Sequence, residues 1–320
     1  MATRIGFVGA GGIANHHLNQ LKDIEGVELA AFTDVDPARA ASAAERFGGK
    51  TYGSAVEMFD EANLDGIYVC VPPFAHGEVE LAAVERGLPL FLEKPVAVSN
   101  DVANRVAAAI AKAKVVSAVG YHWRYQDATD RAQELLKCRT IGMALGYWMG
   151  GMPGVSWWRV LDQSGGQMVE QTTHIFDLAR YLVGEVTEVY AAYSTQALSG
   201  VPNFSVTDVG TATLKFANGA VGTISNTCLL NMGYTVGLNI VTPDMILELD
   251  GGLKILEGAR TTQIRNQTNP TRREDQAFVD AIRTGDSSAI RCDYADAART
   301  LAVTLASNES ARTGQPVKLK

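Results

Sequence analysis

Glu93, Lys94 and Pro95 place an acid and a base side by side at the end of an apolar run. Residues 88–92 are predicted to form a short buried parallel strand, because such strands are almost continuously apolar. Pro95 cannot donate to a ladder and favours an extended Lys94, so the strand ends there. Ligands of open α/β sheets bind at this carboxyl edge, where both charged groups could contact them. The alternative is a solvated strand end that is closed by a proline.

A second set of polar side chains falls at helical spacing: Glu170, His174, Asp177 and Tyr181. On one helix these positions form a single polar stripe, which must face water, a cavity or another polar surface. With a carboxylate one turn before it, His174 has an orienting group and a raised affinity for a proton, as a general acid/base near neutral pH needs. The alternative is a structural histidine, with Asp177 paired to Arg180.

The start of the chain carries a candidate phosphate-binding turn. A short strand at 4–8 leads into Gly9-Ala10-Gly11-Gly12-Ile13-Ala14, which fits G-x-G-x-x-A. The first glycine permits the tight turn, the second lets the backbone approach a pyrophosphate, and the following helix offers its positive end to the phosphates. The candidate cofactor contacts here are Gly9, Gly11, Gly12 and Ile13.

Asp34 follows the next predicted strand, 27–33, and lies 22 residues after the last glycine of that turn. A carboxylate at this point accepts hydrogen bonds from the adenosine ribose. It also repels a 2′-phosphate, and neither Val35 nor Asp36 supplies a cation, so NAD is favoured over NADP. The alternative is a turn residue, but Asp36 already fills the N-cap role ahead of Pro37.

Two aromatic segments in the second half are candidate substrate contacts. Arg124 lies among three aromatic residues at 121–125, which form either a packing seam or a sugar-facing wall. Trp157 and Trp158 lie in a 17-residue loop at 150–166, long enough to suspect a binding role.

Strand and helix patterns alternate up to residue 120 and predict a doubly wound parallel sheet, a Rossmann domain. Pro72 and His76 lie in one of its strand-to-helix turns, at the carboxyl edge. Both are candidate cofactor contacts. For His76 the alternatives are a catalytic role and, more simply, a position in the first turn of the helix that begins there.

From 186 to 249, strand-like segments follow one another without helices, with turns such as Asn218-Gly219. They predict an open, mainly antiparallel sheet. The fold class is therefore α/β: an N-terminal Rossmann dinucleotide-binding domain at 1–122 and a C-terminal α+β domain at 123–320 for substrate binding and oligomerisation. The C-terminal helices are expected to pack back on the Rossmann domain.

The composition excludes several classes of protein. A formal net charge of −7 with no basic run argues against a nucleic-acid partner. Four scattered cysteines are typical of a reducing compartment. No stretch is long enough for a membrane span and no apolar leader precedes the first strand. We expect a cytoplasmic protein with no membrane partner and no metal site.

Together these motifs resemble the glucose-fructose oxidoreductase and inositol dehydrogenase family, also called Gfo/Idh/MocA. The resemblance covers nearly the whole chain and rests on the order of the motifs: the Gly9 turn, Pro72 and His76, Glu93-Lys94-Pro95, Gly165-Gly166 leading to His174 and Asp177, the helix at 278–285 and the segment at 310–317. It implies a Rossmann domain, an α/β domain with an open sheet that forms homodimers or homotetramers, and nicotinamide-dependent oxidation or reduction of sugars, inositols or related polyols.

By position, the resemblance implies that Lys94 lies beside the nicotinamide and the reacting oxygen, and that His174 exchanges the proton. Glu170 takes the place of an aspartate that usually assists this histidine. A base and a cation that stabilises a developing alkoxide are what hydride removal from a carbinol demands. The bond between Lys94 and Pro95 is often cis in the family, and Glu93 becomes a cofactor contact or a neighbour of one. The candidate substrate contacts are Arg124, Asp177, Trp157 and Trp158.

Two departures concern the substrate side: Glu170 is one methylene longer than aspartate, and Thr172-Thr173 replace a glycine and a small apolar residue. We predict an NAD(P)-dependent dehydrogenase acting on CH–OH groups. The alternatives are an NAD-dependent glycoside hydrolase that works by transient oxidation, and a binding module that senses NAD without turnover.

Overall fold

The structure is a computed structural model and describes residues 2–319. It divides into two compact units. One contains the residues up to His122 together with Asn269–Ala298, and the other contains Trp123–Thr268 together with the residues from Arg299 onward. Within the described residues, no helix is long and apolar enough to cross a membrane.

The first unit is built on a six-stranded sheet in which every pairing is parallel. The strands are β1 (Thr3–Val8), β2 (Val27–Thr33), β3 (Lys50–Thr51), β4 (Gly66–Val69), β5 (Leu90–Leu92) and β6 (Ser117–Val119). Their order in the sheet is β3-β2-β1-β4-β5-β6, which is the doubly wound order of a dinucleotide-binding fold. The predicted Rossmann fold is confirmed.

Five helices connect these strands: α1 (Gly12–Leu21), α2 (Pro37–Phe47), α3 (Ala55–Glu61), α4 (Glu78–Glu85) and α5 (Asn100–Ala113). Asp36 caps α2 as predicted, because its Oδ1 accepts the Ala38 N–H at 3.1 Å. The helix predicted from His76 begins two residues later, since Pro73–Ala75 form a short 3₁₀ turn first.

The second unit is built on a nine-stranded sheet of order β14-β13-β12-β11-β7-β10-β9-β8-β15. Its strands are β7 (Met143–Met149), β8 (Val186–Ser194), β9 (Val209–Phe216), β10 (Val221–Thr227), β11 (Thr235–Val241), β12 (Ile246–Leu249), β13 (Gly252–Glu257), β14 (Arg260–Arg265) and β15 (Val317–Lys318). The predicted mainly antiparallel sheet is confirmed, with one parallel pairing between β7 and β10. The sequence did not predict β13–β15.

Four helices of the second unit precede β8: α6 (Asp127–Leu136), α7 (Leu161–Ser164), α8 (Gln167–Glu170) and α9 (Thr173–Leu182), while β7 lies between α6 and α7. Side chains of α9 such as Ile175 and Leu178 join the buried core together with inward-facing strand residues such as Leu214 and Leu238. Burial alternates along β9 and β10, so one face of the sheet forms this core.

Two helices lie near the end of the chain, α10 (Pro270–Thr284) and α11 (Tyr294–Thr313). Helix α10 belongs to the first unit and packs on α1, where Arg272 donates to the carbonyl oxygens of Gln20 and Asp23. Phe278 and Val279 of α10 are buried in the core of that unit.

Candidate active site

The fold requires a glycine at position 9 for steric reasons, whereas position 11 has room for a side chain. Gly9 has φ +88°, and a Cβ added there would lie 2.3 Å from the carbonyl oxygen of Cys70, so only glycine fits. A Cβ added at Gly11 or Gly12 meets no heavy atom within 4 Å. The fold therefore requires Gly9 but not Gly11. Gly11 is the N-cap of α1 and has no side chain that could accept hydrogen bonds from the N–H groups of the first helical turn. Ile13, in that first turn, is 43% exposed.

Asp34 joins the glycine turn to the end of β2. Its Oδ2 accepts the Ala10 N–H at 2.7 Å and its Oδ1 accepts the Asp36 N–H at 2.8 Å. A carboxylate offers about four lone-pair sites, so two remain for further donors. The carboxylate is half-buried, and the next residue, Val35, is fully exposed.

His76 is buried in the turn after β4 and is oriented by Glu80. The imidazole Nδ1 lies 2.6 Å from Glu80 Oε1, and the Gly77 N–H donates to Glu80 Oε2. Within the described residues, Nε2 of His76 is buried and has no hydrogen-bond partner. Pro72 lies at the start of the same turn and is half-buried.

Glu93 and Lys94 follow β5 at the carboxyl edge of the parallel sheet. Glu93 is 5% exposed, Lys94 is half-buried, and the peptide bond between Lys94 and Pro95 is cis. Burial acts to raise the pKa of Glu93, but the hydrogen bond from His17 and the charges of His17 and Lys94 outweigh it and lower that pKa. Burial also lowers the pKa of His122, whose ring is close enough to feel the charges of Glu93 and Lys94, to about 4.

In the second unit, the predicted continuous helix through Glu170 and His174 is wrong. Helix α8 ends at Glu170 and α9 begins at Thr173. The Thr172 N–H bonds to the carbonyl oxygen of Gln167, five residues earlier, at 2.9 Å. This wide turn inserts a residue, so Glu170 does not stand one regular helical turn before His174.

Glu170 and His174 are each held by a tryptophan. The Trp158 indole N–H donates to Glu170 Oε2 at 2.8 Å. The His174 ring, 5% exposed, stacks on Trp148 with centroids 6.0 Å apart. Trp158 itself is fully buried in a small apolar cluster, with Trp157 partly buried against it. The structure therefore places Trp158, a candidate substrate contact, away from solvent and in contact with Glu170.

Arg124 and Asp177 contact each other. The guanidinium forms two hydrogen bonds to the carboxylate, and the Thr300 hydroxyl donates to the same carboxylate. Arg180, the alternative partner predicted for Asp177, pairs with Glu185. Both Arg124 and Asp177 are at least 97% buried as side chains, so neither is placed like a surface group that reads hydroxyls.

His17 and Asp275 are buried polar residues that our sequence reasoning missed. His17 lies on the buried face of α1 with Ala14, Leu18 and Leu21. A histidine within an apolar stripe at helical spacing was the available signal. No comparable signal marked Asp275, whose partners come from distant parts of the chain. Among residues 2–319, no group of three or more His, Cys, Asp or Glu side chains is arranged to hold a metal ion.

Two family models match the chain. An oxidoreductase family with an NAD-binding Rossmann fold matches residues 3–121, and the GFO/IDH/MocA C-terminal domain matches residues 131–248. The chain belongs to the GFO/IDH/MocA family. It is an oxidoreductase with an NAD-binding Rossmann domain, and the predicted class, a nicotinamide-dependent dehydrogenase acting on CH–OH groups, is confirmed.

Relatives of this GFO/IDH/MocA chain match over almost its whole length. Myo-inositol 2-dehydrogenase of Thermotoga maritima is 26% identical over 99% of the chain and 98% of the relative. D-xylose 1-dehydrogenase (NADP(+)) 2 of Haloferax volcanii is 25% identical over 98% of the chain and 99% of the relative. A levoglucosan dehydrogenase solved in complex with NADH shares the fold, with a TM-score of 0.91, 20% identity and full coverage of both chains.

Proposed function

We propose that the protein transfers hydride between NAD and a carbinol or carbonyl carbon of a sugar, inositol or related polyol. The observation that carries this proposal is the position of Lys94: it lies at the carboxyl edge of the parallel sheet, in a chain that belongs to a family of NAD-binding oxidoreductases. The near-full-length relatives named for inositol and xylose support the substrate class.

The first unit offers groups that fit a dinucleotide. Gly11 leaves the N-terminus of α1 open to a pyrophosphate, and Asp34 has lone pairs left for ribose hydroxyls. His76 carries a buried, unpartnered Nε2 at the same edge. The absence of a cation at Val35 favours NAD over NADP, because the Asp34 carboxylate repels a 2′-phosphate. When bound, the nicotinamide ring accepts or donates the hydride.

In this mechanism the residues of the chain move the proton and balance its charge. The Lys94 ammonium stabilises the alkoxide that develops on the reacting oxygen. His174 takes the carbinol proton, or returns it in the reverse direction, with its ring held by stacking on Trp148. Glu170, fixed by Trp158, supports that histidine. Arg124 and Asp177, which the family resemblance gave as substrate contacts, act in this proposal through their mutual ion pair and stabilise α9.

We also propose that the second unit forms a homodimer or homotetramer through the open face of its sheet. An apolar row crosses four paired strands at Val221, Met143, Val241 and Ile246. Three of these side chains are 37–43% exposed, and apolar patches of this kind mark interfaces. Light scattering after gel filtration tests this: Met143→Lys should lower the oligomer mass, whereas Met232→Lys, on an exposed loop, should not.

The deciding experiment for the activity is a screen of NAD and NADP against inositols, aldoses, ketoses, anhydrosugars and sugar acids, followed by nicotinamide absorbance. We expect NADH to form with at least one polyol or sugar. No NADH from any of them, and no consumption of NADH with ketoses or keto-inositols, would count against the proposal. Cleavage of a glycoside without net NADH would support the hydrolase alternative instead.

A further inference from the structure

Four buried polar side chains form one hydrogen-bonded chain inside the first unit: Tyr68, Asp275, His17 and Glu93, which we call the His17 chain. The Tyr68 hydroxyl donates to Asp275 Oδ1 at 3.0 Å. His17 Nδ1 lies 2.7 Å from the same oxygen, and His17 Nε2 lies 2.9 Å from Glu93 Oε1. Three of the four residues are 0% exposed.

Aromatic rings surround the His17 imidazole. Phe91 meets it edge-on with centroids 4.9 Å apart, and the Tyr68 ring lies 5.3 Å away. Phe278 of α10 packs against both of those rings. In such an apolar wall an unpaired charge is costly, so the charges of the His17 chain must compensate one another.

Both ring nitrogens of His17 face carboxylate oxygens, and an ionised carboxylate only accepts hydrogen bonds. An imidazolium, with two N–H groups, can donate to Glu93 Oε1 and to Asp275 Oδ1 at once. Burial acts to lower the pKa of His17, but the charges and hydrogen bonds of Asp275 and Glu93 outweigh it and raise that pKa well above its ordinary value of 6.5.

The other titratable groups around the chain add little charge. Burial raises the pKa of the Glu274 carboxyl and of the Cys70 thiol, and it lowers the pKa of His122 to about 4, so burial favours the neutral form of each of these three groups. His16 projects from the neighbouring position of α1 and bonds to Thr271. The network therefore brings the acidic side chains of Glu93 and Asp275 together with His17, and Lys94 lies close enough for its charge to act on Glu93.

Glu93 connects this network to Lys94. While Oε1 of Glu93 faces His17, Oε2 accepts the backbone N–H of Lys94 at 3.1 Å. The carboxylate also lies against the end of β6, where a Cβ added at Gly120 would stand 2.7 Å from Oε1. The Glu93 side chain is therefore fixed on one side by His17 and on the other by the backbone of Lys94.

We propose that His17 is a positioning residue for Lys94: anchored by Asp275 of α10, it holds the Glu93 carboxylate against the Lys94 backbone and so fixes the lysine at the strand edge. This inference rests on the proposed function, since it takes Lys94 to act in turnover. In this proposal α10, which is far from Lys94 in sequence, helps to position the Lys94 ammonium through Asp275.

Two variants of His17 separate its two bonds. His17→Gln can place an amide N–H near the position of Nε2 and keep the bond to Glu93. His17→Asn can replace Nδ1 and keep only the bond to Asp275. We expect His17→Asn to lower kcat by about 10- to 100-fold, because a small misplacement of a reacting group has that effect, and His17→Gln to lower it less. The KM for NAD should change less than kcat, and His16→Asn, the neighbouring control, should leave kcat unchanged.

A second measurement is independent of turnover. In ¹⁵N-histidine NMR spectra of the whole protein, both nitrogens of His17 should remain protonated at a pH where a free imidazole is neutral. Because the folded pKa is raised, the stabilisation is fully present below pH 6.5 and is lost as the pH rises through the folded pKa. The difference in melting temperature between wild type and His17→Asn should therefore be largest below pH 6.5 and shrink above it.

Several outcomes would overturn the inference. The first is a neutral His17 in the NMR spectra. The second is that His17→Asn lowers the melting temperature but has the same kcat, and the same dependence of kcat on pH, as His16→Asn. If neither His17 variant folds, Asp275→Asn takes their place. It should lower kcat, and because it removes a carboxylate that raises the pKa of His17, the loss of kcat at high pH should begin at a lower pH. An unchanged dependence of kcat on pH would refute the proposal. Full activity of Lys94→Ala would instead reject the proposed function, and this inference with it.

Discussion

Arg124 and Asp177 form a two-point ion pair, with Nε 2.7 Å from Oδ2 and Nη2 2.6 Å from Oδ1. The Thr300 hydroxyl donates to Oδ1 at 2.9 Å, and the guanidinium lies over the Tyr181 ring, 4.7 Å from its centroid. The pair therefore connects α9, the helix that carries His174, to a segment before α6 and to Thr300 of α11, all within the second unit. It thereby fixes the helix from which His174, the candidate general base, projects.

Asp177→Asn should destabilise the protein, because it leaves the Arg124 guanidinium buried without its anionic partner. We expect the free energy of unfolding to fall by about 3 kcal/mol, measured by urea denaturation. Asp244→Asn, which breaks an exposed pair with Arg139, serves as the control and should leave the unfolding midpoint unchanged. Equal midpoints for the two variants would contradict this account.

This pair also shows what the sequence could and could not predict. The strands of the first unit, the glycine turn and Asp34 were predictable because each rests on neighbouring residues and on a fixed spacing. The partners of Asp177 lie 53 and 123 residues away, a relation that no periodicity expresses. The break after Glu170 depends on a single wide turn at Thr172, which a regular helical count cannot reveal.

Trp158→Phe should keep most of the apolar packing but remove the N–H that Glu170 accepts at 2.8 Å. With one carboxylate oxygen left without this donor, we expect kcat to fall several-fold and the free energy of unfolding to fall by about 1 kcal/mol. Trp157→Phe, in the same cluster but without this hydrogen bond, is the matched control for both measurements. If both variants lose kcat equally, the hydrogen bond to Glu170 is not the cause.

Gly11→Ala should separate cofactor binding from folding. An added methyl group meets no heavy atom within 4 Å, so the melting temperature should stay within about a degree or two of wild type. NAD affinity, measured by calorimetric titration, should nevertheless fall at least tenfold, because the methyl group stands where the pyrophosphate approaches. Gly9→Ala should behave in the opposite way and lower stability, since its Cβ would clash with the Cys70 carbonyl oxygen. Undiminished NAD affinity in Gly11→Ala would place the dinucleotide elsewhere.

Asp34→Asn tests the preference for NAD. Removing the charge weakens the bonds that ribose hydroxyls donate and relieves the repulsion of a 2′-phosphate, so NAD should bind about tenfold more weakly while discrimination against NADP falls. Asp36→Asn is the control, because asparagine caps a helix as well as aspartate does. The measurement is the ratio of the dissociation constants for NADP and NAD. If this ratio is the same in Asp34→Asn as in wild type, Asp34 only stabilises the turn, through its bonds to Ala10 and Asp36.

Lys94→Ala is the most direct test of the chemistry. Loss of the ammonium removes the group that stabilises the developing alkoxide, so kcat should fall by at least about 100-fold, while the dissociation constant for NAD should change by less than about threefold. Lys112→Ala, on the exposed face of α5, should match wild type in both measurements. Glu93 and the His17 chain remain in place in the alanine variant, so a lost kcat would be assigned to the ammonium itself. Loss of NAD binding with undiminished turnover at saturating NAD would show instead that Lys94 clamps the cofactor.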